Sequence, residues 1–362
     1  MPNKIKVGIL FGGKSAEHEV SLQSAKNVFD AINREKYTPI LIGIDKSGRW
    51  LFNDASQVLI HAEDPKRIRL NESGESVAII PESRGLTNMR TLQQQAVDVI
   101  FPLLHGPFGE DGTVQGLLKL GDIPFVGAGV LGSAVGMDKD VLKRLLRDAG
   151  IPIGKFIALK SQDPIPDFTS LASQLGAPLF IKPANMGSSV GVNKVRNEAE
   201  YVQGIAEAFT YDRKIIIEEY IQGRELECSV LGNEEPIVSI PGEVISSHEF
   251  YSYNAKYIDE NGAVLDIPAK IPEEIAQAMR VMAVKTFQTL AAEGLSRVDF
   301  FLKPDGTILV NEINTMPGFT KISMYPKLWE AAGISYTELI DKLIELGIQR
   351  FEKEKRLKTS YH

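Results

Sequence analysis

One cysteine, Cys228, stands alone in 362 residues, so the chain can form neither an internal disulfide nor a cysteine-based zinc cluster. It sits in the alternating stretch Leu226-Glu227-Cys228-Ser229-Val230, which reads as a packed strand position, and a reducing, cytoplasmic setting fits. Excess positive charge is missing as well. A net charge of −7 argues against a surface built to neutralise nucleic-acid phosphates. No apolar run approaches the length of a membrane span. The short run at residues 7–11 ends in glycines without a small-residue cleavage site, unlike a signal peptide. There is no internal repeat and no low-complexity tract.

What is present is ordinary globular material, 43% hydrophobic and 24% charged, in a length that allows two or three domains. Residues 4–11 read as a buried strand ending in Gly12-Gly13, then a helix with Leu22, Ala25, Phe29 and Ile32 at helical spacing. Residues 37–45 form a second strand, and Asp45-Lys46-Ser47-Gly48 a hairpin turn into Trp50-Leu51-Phe52. Residues 53–95 read as polar and irregular, with weak strands at best, and 97–104 as a strong apolar strand ending at His105-Gly106. Alternating strands and helices imply an α/β fold with a parallel sheet, whose ligand crevice lies at the carboxyl ends of the strands. Glu17 and His105 both fall on that side.

A helix is expected over 138–149, stopped by Gly150 and Pro152, and the first domain boundary falls near it. Paired strands follow at 179–181 and 190–192. Asn197 and Glu200 have the spacing of a capping box for a helix to Phe209. A strand at 214–221 leads to further strands up to 244, a polar loop over 246–264, and a long helix over 272–291. Strands 295–302 and 307–313 are joined by the turn Pro304-Asp305-Gly306.

Two segments could hold phosphate. The stretch from Gly8 to Ser15 satisfies the P-loop pattern literally, but Ile9, Leu10 and Phe11 belong to the strand and would have to leave the core to make a loop. The better candidate is Lys182-Pro183-Ala184-Asn185-Met186-Gly187-Ser188-Ser189-Val190-Gly191, a small-residue loop that exposes N–H donors behind a lysine. Downstream, the period of two places Arg297 and Asp299 on one strand face, and Glu312 and Asn314 on one face of the next. If those strands pair, hard oxygen ligands and a guanidinium converge. That set suits Mg²⁺, which favours carboxylates, water and nucleotide phosphates.

These motifs resemble the D-alanine–D-alanine ligases of the ATP-grasp superfamily over residues 7–346. The matching segments are Gly12-Gly13-Lys14-Ser15-Ala16-Glu17-His18-Glu19-Val20-Ser21, His105-Gly106 with Gly109-Glu110-Asp111-Gly112, Met137-Asp138-Lys139, and Lys182-Pro183 with Gly187 to Gly191. Ala255-Lys256-Tyr257, Arg297-Val298-Asp299 and Asn311-Glu312-Ile313-Asn314-Thr315-Met316-Pro317-Gly318 complete the set. The resemblance implies a three-domain ATP-grasp fold, divided as 1–137, 138–222 and 223–362, with ATP between the last two. It implies that Lys139, Lys182 and Lys256 contact nucleotide phosphates. Glu218, Glu219, Tyr220 and Ile221 would line the adenine pocket with Asn311 nearby, and Glu225 would bind ribose. Asp299, Glu312 and Asn314 would hold two Mg²⁺ or Mn²⁺ ions. Arg297 and the Gly318 amide would stabilise the transferring phosphate and the tetrahedral oxyanion. Glu17 would bind the first D-alanine ammonium in a set with Ser188 and Tyr257. Ser323 and Met324 would hold the second carboxylate, and His105 would line the substrate pocket. A tyrosine at 257 implies amide rather than D-lactate ester formation. The implied partners are ATP and D-alanine, with neither nucleic acid nor membrane, in a cytoplasmic homodimer serving peptidoglycan synthesis. Another ATP-grasp carboxylate–amine ligase and a non-catalytic nucleotide-binding regulator remain the rival readings.

Overall fold

The structure, a computed structural model, describes residues 4–361 apart from 53, 55, 56, 65, 82, 84, 247–262 and 321. Three main sheets organise it. In the first, Ile5–Gly12 lies between Tyr37–Ile44 and Val99–Leu103 and pairs with both in parallel. Val7, Ile9, Leu10 and Phe11 have no exposed surface. A strand covered on both faces needs such a continuous apolar run. It also rules out the P-loop reading of this segment, because three of the required loop residues are core.

The parallel centre is extended on one side by Trp50–Phe52, Glu75–Ile79, Gly85–Asn88 and Gln94–Ala96, all antiparallel. The weak strands allowed within residues 53–95 are present as short ones. Short strands such as Glu75–Ile79, with only Val77 and Ile79 buried, carry too few alternations to stand out from loop sequence.

The second sheet runs Phe156–Lys160, Lys214–Glu219, Leu179–Pro183, Asn193–Val195, antiparallel throughout. Helices Phe168–Leu175 and Glu198–Tyr211 cover one face, where Leu171, Tyr201, Ile205 and Ala208 meet Ile181, Ile215 and Ile217. Alternation turns Phe180, Lys182 and Glu218 to the other face. The expected strand at 190–192 is displaced to Asn193–Val195. Ser188, Ser189 and Gly191 have φ of 50°, 61° and 68°, a left-handed path that no strand can follow. Only half of the capping box at Asn197 forms: its side chain accepts from the Glu200 N–H, while Glu200 reaches back to the Arg196 N–H instead.

The third sheet orders Ala263–Asp266, Gly242–Ser246, Arg224–Gly232, Gly294–Leu302 and Ile308–Asn314. Leu226, Cys228, Val230, Val298, Phe300 and Ile313 pack on helix Glu273–Thr289 and on Leu142 and Leu146 of helix Lys139–Asp148. Cys228 is thus a core strand residue, its thiol pushed up by burial. The final helix, Tyr336–Lys355, returns to the first sheet, where Leu339, Leu343 and Ile344 share a core with Val7 and Phe101. Its buried Arg350 donates to the carbonyls of Gly127 and Phe125.

Candidate active site

Glu17 occupies the N-cap of helix His18–Ala31 without making a side-chain cap bond, so its carboxylate is directed elsewhere. It accepts from Ser188 Oγ of the small-residue loop. Glycines make this approach possible: a Cβ at Gly106 or Gly187 would stand 2.9 or 3.2 Å from Glu17 Oε2. Gly106, at φ +75°, also needs glycine for its backbone.

Beside Glu17, His105 is buried and uses both ring nitrogens. Nδ1 is 3.0 Å from the Met316 carbonyl and Nε2 is 3.3 Å from Ser24 Oγ. A carbonyl only accepts, so Nδ1 carries the proton and Nε2 accepts from the serine. Burial pulls the imidazole pKa down, which keeps it neutral. His105 lines a cavity with Glu17 and Arg297, and it also ties the first sheet to the loop carrying Gly318. Glu110, which composition and spacing did not single out, accepts from the Gly106 N–H at 2.6 Å. Burial and the neighbouring Glu17 carboxylate push its carboxyl up to about 8.

On the third sheet the register pairs Asp299 with Glu312 and Arg297 with Asn314. The neighbouring strand places Glu227 opposite Asp299. Three carboxylates therefore form a row across three strands, and Glu227 is the member that motif reading missed. The Arg297 guanidinium grips Asp299 with two bonds of 2.7 Å and lies 2.9 Å from Glu227. A register shift after Asp299 leaves Asn311 as the extra residue of a bulge, lining a cavity with Lys182 and Glu218. Among the described residues, no three His, Cys, Asp or Glu side chains are placed to hold an ion by themselves. Asp299, Glu312 and the Asn314 oxygen nevertheless fit a hard cation that completes its shell with phosphate oxygens and water.

The second sheet contributes the cations. Lys182 and Lys143 each lie 2.7 Å from an oxygen of Glu218. Burial alone would raise the Glu218 carboxyl, yet the two ammonium groups bring it down to about 2. Lys139 donates to the Met186 carbonyl at 2.7 Å and stands 3.4 Å from Glu312. Lys143 was not foreseen, although it lies one helical turn after Lys139.

Two cavities result. One, of about 520 Å³, is lined by Glu17, His105, Glu110, Arg297, Gly318, Ser323 and Met324 among others. Ser323 Oγ accepts from the Thr320 N–H at 3.0 Å, and a Cβ on Gly318 would come within 2.8 Å of it. The other, of about 410 Å³, is lined by Phe180, Lys182, Glu218, Glu219, Tyr220, Ile221, Glu225 and Asn311 among others. Lys139, Ser188 and Glu312 belong to both walls, so the cavities meet there. Lys256 and Tyr257 lie outside the described residues.

Two sheets enclosing a lysine-lined cleft, with an acidic strand pair at its mouth, define an ATP-grasp ligase architecture. Family models described as "D-ala D-ala ligase N-terminus" and "D-ala D-ala ligase C-terminus" match residues 6–128 and 145–345. The chain is 56% identical to the D-alanine–D-alanine ligase of Oceanobacillus iheyensis over 361 residues, covering 99% of each. It is 51% identical to D-alanine–D-alanine ligase A of Escherichia coli strain K12, again covering 99% of each. Among solved structures it superposes on the D-alanine–D-alanine ligase of Coxiella burnetii with a TM-score of 0.85 at 36% identity, covering 98% of each chain. A D-Ala:D-Ser ligase from Enterococcus faecalis gives a TM-score of 0.81 at 38% identity, covering 95% of this chain and 100% of that one. The chain belongs to the D-alanine–D-alanine ligase family.

Proposed function

We propose that the protein joins two D-alanine molecules at the expense of ATP, through a D-alanyl phosphate, to supply peptidoglycan synthesis. The observation that carries this reading is the shared wall of the two cavities at Lys139, Ser188 and Glu312, where an amino-acid carboxylate and a γ-phosphate would meet. A carboxylate is a poor acyl donor, and its phosphorylation needs positioning and charge neutralisation more than covalent help from the protein.

Glu17, held by Ser188, binds the first ammonium and aims that carboxylate at the shared wall. Lys139, Lys182 and Lys256 hold the phosphates, and Glu218 to Ile221, Glu225 and Asn311 hold adenosine. Asp299, Glu312 and Asn314 would hold Mg²⁺ or Mn²⁺ ions, which supply charge neutralisation on the transferring phosphoryl group. Arg297 and the Gly318 N–H stabilise the oxyanion formed when the second amine attacks. Ser323 and Met324 hold the second carboxylate. Tyr257 closes over the amine side, its role resting on the resemblance. In the proposed division into 1–137, 138–222 and 223–362, the first substrate lies on the first unit and ATP between the other two, with the metal ligands on the last. The working form would be a cytoplasmic homodimer, which sedimentation velocity tests.

Phosphate release from ATP that rises with D-alanine, and with no L-amino acid, is the expected outcome. Release that ignores amino acids would contradict it. The Enterococcus faecalis neighbour, named for D-Ala:D-Ser ligation, favours one second reading, a different acceptor in the same cavity. A panel of D-alanine, D-serine and D-lactate as acceptors separates the two, with D-alanine expected to dominate.

A further inference from the structure

Ser24 and Asn27, one turn apart on helix His18–Ala31, reach across to the loop that carries Gly318. Ser24 has no exposed surface. A hydroxyl at that depth needs bonding partners, because an unpaired polar group there is costly. Its Oγ accepts from the Phe319 N–H at 3.2 Å and donates to His105 Nε2 at 3.3 Å. His105 in turn donates from Nδ1 to the Met316 carbonyl at 3.0 Å. Three bonds thus close a ring from the C=O of Met316 to the N–H of Phe319, with Pro317 and Gly318 between them.

The Phe319 carbonyl is held as well, by Asn27 Nδ2 at 3.3 Å and by the Tyr336 hydroxyl at 2.7 Å. The Phe319 ring meets Phe101 edge-on, 5.5 Å between centroids, inside the core of the first sheet. Pro317 has its φ fixed by its own ring. The peptide group that joins Pro317 to Gly318 therefore lies between two anchored ones and has little freedom to rotate. Its N–H is the donor proposed for the oxyanion, and Gly318 lines the cavity that holds Glu17 and Arg297. A donor acts best on developing charge when its direction is set before the reaction, since nothing then has to reorganise.

We propose that Ser24 and Asn27 are positioning residues for the ligation: they grip the N–H and C=O of Phe319 and so hold the Gly318 N–H on the oxyanion formed when the second amine attacks. Neither side chain lines that cavity, so both act through the loop. Glu17 caps the same helix. The group that binds the first ammonium and the donor to the oxyanion are thereby referenced to one rigid element. The inference rests on the proposed reaction, which supplies the oxyanion.

The test is steady-state ligation and inhibitor binding by the full chain. Ser24→Ala removes one oxygen from the core and leaves the Phe319 N–H and His105 Nε2 without their partner. Its kcat should fall about tenfold, less than the loss of an oxyanion donor itself costs. Its KM for D-alanine should stay within about twofold, a split that simple loosening of the fold would not produce. Affinity for a phosphinate analogue of the dipeptide, whose tetrahedral centre carries oxygen where the oxyanion forms, should fall with kcat. Ser24→Thr keeps the hydroxyl and should restore most of both. Asn27→Ala, at a half-buried position, should lower kcat about threefold at unchanged KM, the scale of one weak hydrogen bond. It decides the matter if the Ser24→Ala protein fails to fold. Unchanged kcat in folded Ser24→Ala or in Asn27→Ala would overturn the proposal, and so would a raised KM with phosphinate binding intact. A wild type that makes no D-alanine dipeptide would remove the proposed function and this inference with it. Normal ligation by the wild type and both alanine variants would remove the inference alone.

Discussion

Glu110 and Glu218 are both buried glutamates in the walls of adjoining cavities, and their surroundings drive them in opposite directions. Glu110 is pushed up to about 8 by burial and by the Glu17 carboxylate. Glu218 meets the same desolvation, but Lys143 and Lys182 hold it near 2. The difference describes the two halves of the site. In one, Glu110 stands with the Glu17 carboxylate, a pair that suits an arriving ammonium. In the other, Lys143 and Lys182 stand together on Glu218, a pair that suits arriving phosphates, in a wall that also carries Glu219, Glu225 and Glu243. Each cluster is complementary in charge to the substrate proposed for it, and Lys139 with Glu312 stands where the cavities join.

The largest effect is expected at the junction. Glu312→Gln neutralises a carboxylate of the acidic row, and D-alanine-dependent ADP release should fall by about a hundredfold or more, the scale on which preorganised charge acts in a transition state. Near wild-type turnover in the folded variant would break the link between the halves.

A crossed pair of variants sharpens the contrast. Glu17→Gln should raise the KM for D-alanine by more than about tenfold while leaving affinity for a non-hydrolysable ATP analogue close to wild type. Lys182→Ala should do the reverse, weakening the analogue by more than about tenfold. If both variants moved both ligands equally, the two halves would not be separate binding surfaces.

Glu110→Gln should act through pH. A carboxyl at about 8 when folded, against its usual 4.5, binds more protons in the folded chain than in the unfolded one across that window. Stability therefore falls as pH rises from 4.5 to about 8, and the isosteric amide should flatten this slope. Thermal unfolding at several pH values measures it, and parallel curves for the two proteins would remove Glu110 as the source. The smallest effect belongs to Lys14→Ala. Its side chain lies over the Phe108 ring at 5.3 Å, outside both cavity walls, and analogue binding should not change.

The sequence disclosed the junction better than its surroundings. Arg297, Asp299, Glu312 and Asn314 alternate along two strands joined by a tight turn, so period-two reasoning was enough to bring them to one face. Glu227 was within reach of the same reasoning, since a core Cys228 implies that its neighbours face the other way. Lys143 follows Lys139 at a helical turn, but spacing alone says nothing of a partner on a distant strand. Glu110 sat in a recognised motif, and its perturbation depends on Glu17, nearly a hundred residues earlier in the chain. The short strands within 53–95 could be expected only as weak and unplaced, and the left-handed path of Ser188 and Ser189 escaped, because β-bridges and φ angles are settled by tertiary packing.

In the proposed reaction the two halves meet so that the carboxylate of the first D-alanine attacks the γ-phosphate. Ligation run with D-alanine labelled with ¹⁸O in its carboxylate tests this directly. Inorganic phosphate released with the dipeptide is expected to carry an oxygen from that carboxylate, as an acyl phosphate requires. Dipeptide formed alongside phosphate free of the label would contradict it.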